Sequence, residues 1–109
     1  MAVFTTINDS GSFFSTTLYT GTGSSLAVTG VGFQPDFTWI KNRVATDFHV
    51  LTDAVRGATK YLQSDDDAAE VTDAESLKSF DSDGFTVGTM NEVNTNTEDY
   101  VSWNWKAGT

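Results

Sequence analysis

His49 is the chain's single histidine. In the stretch TDFHVLTDAVRG it lies between Asp47 and Asp53, which is the material for a general base oriented by a carboxylate. The nucleophile such a base would serve is missing. No serine stands in a G-x-S-x-G elbow, and the chain has no cysteine. The plainer reading is a histidine carried on a strand. Paired carboxylates for glycoside hydrolysis stay open, because their pairing is spatial. Nothing, however, selects one pair among the 15 acidic residues.

The remaining charged motifs read as architecture. Asp81-Ser82-Asp83-Gly84 begins like a calcium loop, but Phe85 stands where a third ligand is needed and glycine comes too early. A tight turn between strands fits better. SDDDAAE reads as a solvated acidic loop, and TGTGSS, without a P-loop lysine or a following helix pattern, as a hairpin loop. Arg56, one of two arginines, precedes Gly57 at an expected bend. It reads as an anchor pairing with Asp53 or a carboxylate on a neighbouring strand.

Aromatic residues form the strongest pattern. In FTWIKN, Phe37, Trp39 and Lys41 share one face, and Thr38, Ile40 and Asn42 the other. In DYVSWNWKAG, Val101, Trp103, Trp105 and Ala107 face away from Tyr100, Ser102, Asn104 and Lys106. Two strands with ring-bearing apolar stripes suit the inner faces of a sandwich. Trp39 and Trp103 are therefore expected in the core. The alternative is a sugar-stacking platform made by Trp39, Trp103, Trp105 or Tyr61.

These residues need a scaffold, and the composition supplies one. At 109 residues the chain makes one module with a small core. Threonine, serine, glycine and aromatics dominate, and short alternating segments (SLAVTGV, FTWIKN, HVLTDAV, GFTVGT, DYVSWNWKA) are separated by turn signals. This predicts an all-β fold, an antiparallel, jelly-roll-like β-sandwich with at most one short helical turn, for which Asp65 to Phe80 is the candidate stretch and an acidic loop the alternative there. The net charge of −9 argues against nucleic acid and against anionic membrane surfaces. No disulfide can form, one histidine excludes a multi-histidine metal centre, and no cofactor is expected. No signal peptide and no apolar run of spanning length is seen.

Four stretches carry a family resemblance: GFQPDFTWIKNR (Gly32–Arg43), DAVRGATKYL (Asp53–Leu62), SFDSDGFTVG (Ser79–Gly88) and YVSWNWKAG (Tyr100–Gly108). Over about residues 18 to 108 the chain resembles a module of tail-fibre and other virion proteins of tailed bacteriophages, marine and cyanobacterial phages among them. That module is grouped with concanavalin-like or laminin-G-like β-sandwiches. The resemblance implies a non-enzymatic virion structural protein: a tail fibre, tail appendage or capsid decoration acting by self-association and host attachment. Its implied partners are itself, as a homo-oligomer, and other virion proteins; a host surface glycan is the alternative. The expected location is the virion, with no nucleic-acid partner and no membrane insertion. A glycan-degrading enzyme is the least supported function.

Residues 1–17 lie outside the resemblance and divide from a module at 18–109. Val3, Phe4, Ile7, Phe13 and Phe14 give this segment too much apolar surface to leave in water. They are expected to close the edge of the chain's own sandwich or to form an arm at a subunit interface.

Overall fold

Threonine, valine and aromatic side chains favour a pleated surface, and the computed structural model, which describes residues 13–63 and 69–107, is built almost wholly of strands. In chain order these are β1 (Phe14–Thr20), β2 (Leu26–Val28), β3 (Phe37–Asn42), β4 (Val50–Asp53), β5 (Lys60–Tyr61), β6 (Val71–Thr72), β7 (Leu77–Asp81), β8 (Gly84–Val87), one helical turn α1 (Asn91–Asn94), and β9 (Asp99–Trp105). Among the described residues, no helix is long and apolar enough to cross a membrane. Among the described residues the helical turn falls at Asn91, and residues 65–68 of the stretch where one was expected lie outside the described residues. The described part of that earlier stretch pairs as β6 and β7, in keeping with its apolar residues Val71, Leu77 and Phe80.

A four-stranded antiparallel sheet runs β1-β9-β3-β4, a three-stranded sheet runs β2-β8-β7, and β5 pairs with β6. The core joins the two larger sheets. Ile40, Val50 and Tyr100 come from the first, Val28, Leu77, Phe85 and Val87 from the second, Tyr61 from β5, Val93 from α1 and Phe33 from the loop before β3. Sheets meeting across one apolar layer make a sandwich, as the sequence predicts. β1 crosses the boundary expected at residue 17, pairing along its whole length with β9 from Phe14↔Trp105 to Thr20↔Asp99.

Polar side chains fix the connections. Asp81 and Gly84 close β7 onto β8 around a two-residue turn, Ser82-Asp83. The Asp83 carboxylate accepts the N–H groups of Gly30 and Gly32 at 3.0 and 2.8 Å, two glycines with φ of 85° and 95°. Their donation holds the Asp83 carboxyl below the usual carboxylate range. Gly84 is required by close approach: a Cβ there would lie 1.9 Å from the Val28 carbonyl oxygen. Tyr100 stacks on Tyr19, with ring centroids 5.2 Å apart. Its hydroxyl donates to the Asn91 carbonyl at 2.6 Å and accepts the Thr95 N–H at 2.7 Å, pinning α1.

Candidate functional site

Alternation in β3 and β9 runs as read from the sequence, but the faces are reversed. Register aligns Ser15, Asn104, Thr38 and Thr52 in one inward row and Thr17, Ser102, Ile40 and Val50 in the next. Thr38, Asn42, Ser102 and Asn104 are fully buried. Trp39, Trp103 and Trp105 are half-exposed on the opposite side. The expectation of core tryptophans at 39 and 103 is therefore corrected. The physical reason is that the polar stripe satisfies itself. Thr38 Oγ1 donates to Asn104 Oδ1 at 3.1 Å, Asn104 Nδ2 to the Ser15 carbonyl at 3.2 Å, and Thr52 Oγ1 to the Thr38 carbonyl at 3.2 Å. No buried side-chain nitrogen or oxygen among the described residues lacks a partner. Small, mutually bonded side chains fit the narrow layer between the sheets at little cost.

The displaced rings gather on the outer face. One row places Phe14, Trp105 and Phe37 side by side on three strands, with centroid separations of 5.1 Å on each side of Trp105. The next sets Trp103 against Trp39 edge-on, 5.7 Å apart. His49 lies one residue before β4, and its ring sits 5.9 Å from Trp39. The Trp39 indole Nε1–H donates to His49 Nδ1 at 3.2 Å. An indole can only donate, so this contact requires Nδ1 unprotonated. His49, Trp39, Trp103 and Trp105 line a groove of about 280 Å³, near the lower bound of roughly 300 Å³ for small-ligand sites. Leu18, 60% exposed, extends the apolar surface along β1.

A second concavity, about 700 Å³, lies between Asp53, Val55, Arg56, Lys60 and Glu70. Here Arg56 takes the expected anchor role. It bonds Asp53 through its backbone N–H at 2.6 Å and its Nε at 3.3 Å, and its Nη1 also reaches Glu70, which sequence reading did not select. The Glu70 bond comes first among the causes that raise the guanidinium pKa. These charges neutralise one another within the site.

Of the four platform candidates, Trp39, Trp103 and Trp105 come together, whereas Tyr61 is 6% exposed within the core. Burial raises the Tyr61 phenol pKa. Phe14, Phe37 and His49 join the tryptophans without having been selected for that role. For Phe37 the shared alternation with Trp39 was the available signal. Val3, Phe4 and Ile7 lie outside the described residues, while Phe13 and Phe14 are 45% and 38% exposed. Asp81 accepts from Ser79 and Thr86 at 2.8 and 2.7 Å, within a turn.

Fold and site together define an antiparallel all-β domain with an aromatic outer sheet face. Residues 9–109 match the family model described as Domain of unknown function (DUF7483), and the chain belongs to that family. Searches of curated proteins and of solved structures return no match.

Proposed function

We propose that this chain is a non-enzymatic attachment module of a phage virion that recognises a saccharide on the outer face of its four-stranded sheet. The carrying observation is the convergence of Trp39, Trp103 and Trp105, half-exposed, around one groove. Indole faces carry negative quadrupole density, which complements the C–H face of a sugar ring. A rigid sheet presents those faces without an ordering cost on binding. Contiguous exposed apolar surface on a chain of net charge −9 also favours a neutral ligand over an anionic one. The virion setting rests on the resemblance of the four sequence stretches, and self-association is its corollary.

A glycan array probed with the full chain and with Trp39→Ala and Trp103→Ala tests the reading. The expected result is binding to a restricted set of glycans that falls at least about tenfold in each variant, as loss of roughly 1.4 kcal/mol would give. Absence of binding to every glycan, or binding by both variants undiminished from that of the parent chain, overturns it.

A further inference from the structure

The four-stranded sheet has unequal edges. Beyond β4, Leu62 closes the ladder by exchanging both backbone hydrogen bonds with Leu51, at 2.8 and 2.9 Å. Beyond β1 no described strand follows. The bonds flanking β1 show which of its groups face outward. Lys106 N–H donates to the Phe13 carbonyl and Gly21 N–H to the Glu98 carbonyl, so odd-numbered residues turn toward β9. The N–H and C=O groups of Phe14, Thr16, Leu18 and Thr20 therefore point to the open edge.

Such edges are normally blunted by a lysine, a proline, a bulge or short length. β1 has seven residues, FSTTLYT, in unbroken register with β9. No charged residue occurs from Ser10 to Pro35, although the chain carries −9 overall. The repulsion between copies is thus displaced from this strand. The nearest charge across the ladder, Asp99, lies opposite its last residue, Thr20.

We infer that the β1 edge is an interface for a second copy of this chain, pairing β1 antiparallel with its counterpart. With Thr16 opposite Leu18 of the second copy and Phe14 opposite Thr20, every outward backbone group finds a partner. Self-complementarity of this kind is what a two-fold dimer demands. Leu18, 60% exposed, lies diagonally across the two-fold axis from its counterpart, and Phe14, 38% exposed, covers Thr20 of the second copy. The two four-stranded sheets join into one of eight strands. The family match begins at residue 9. It takes in β1 and leaves residues 1–8 outside.

The test is light scattering of the full chain over a concentration series, with backbone amide exchange read residue by residue. The dimer has twice the 11.8 kDa chain mass. In it, the amides of Phe14, Thr16, Leu18 and Thr20 exchange at least ~10-fold more slowly than in the monomer. Thr16→Pro removes one outward N–H without touching the β9 ladder, and Thr16→Lys places a charge on the edge. Both variants are expected to be monomeric with unchanged far-UV circular dichroism. Should both misfold, exchange in the parent chain decides. A parent chain monomeric at every concentration, variants that dimerise undiminished, or protection of those four amides in a monomer (the edge covered by the chain's own residues) overturns the inference.

Discussion

The inner and outer faces of the four-stranded sheet use the same strands for opposite purposes. Inside, Ile40, Val50 and Tyr100 supply the apolar contact, and Thr38, Ser102 and Asn104 fill the rest as a satisfied polar network. Outside, Phe14, Phe37, Trp39, Trp103 and Trp105 lie in cross-strand contact with water at their edges. Ring size does not decide burial here. The three tryptophans go where no second sheet limits their volume, whereas Tyr100 and Phe85 share the space between the sheets with narrow side chains whose hydroxyls and amides reach a neighbour. The contrast teaches that a small domain can keep its largest apolar side chains off its core when polar stripes pack and bond well enough to replace them.

Four measurements sharpen or break that contrast. The largest effect belongs to the inner layer. Phe85 is fully buried, and Phe85→Ala should lower stability by about 3–5 kcal/mol in urea unfolding. Next, Asn104→Ala leaves the Thr38 hydroxyl and the Ser15 carbonyl each short of a partner and should cost about 1–3 kcal/mol. If that variant is neutral, the inner polar stripe does not hold the sheet as described. On the outer face, Trp39→Ala and Trp103→Ala should each cost only about 1–2 kcal/mol, from a lost ring pair and partial burial. Costs matching Phe85→Ala would move these rings into the core.

The smallest effect is one of pH. Asp83 has a folded pKa below its unfolded value because the Gly30 and Gly32 amides stabilise the carboxylate. Its contribution is complete above the unfolded carboxylate range and is lost as pH falls through the lower folded value. The stability gap between the parent chain and Asp83→Asn should therefore be constant near neutrality and close in acid. A gap that widens in acid would contradict the assignment.

Much of the fold was legible in the sequence. Period-two alternation, turn residues and β-branched content mark strands wherever both faces are occupied, so all-β character follows directly, as does a tight turn within Asp81–Gly84, although its central pair is Ser82-Asp83 and not the expected Asp83-Gly84. Which face turns inward was not legible, because hydrophobicity alone favours tryptophan over asparagine inside. It cannot register that Asn104, Thr38 and Ser15 bond to one another across three strands. Grouping of the site was partly legible: Trp103 and Trp105 share a face by spacing. The meeting of Trp39 with Trp103 depends on β3 pairing beside β9, a long-range register with no local signal. His49 joins them through its position just before β4.

All three tryptophans of the chain lie on the outer face, so intrinsic tryptophan fluorescence of the native protein reports that face alone. Acrylamide quenching, with and without a saturating glycan chosen from the array, tests the account most directly. Red-shifted emission is expected, which acrylamide quenches readily in the free protein and poorly in the complex. Blue-shifted emission resistant to quenching in the free protein, unchanged by glycan, would place the tryptophans in a core and contradict it.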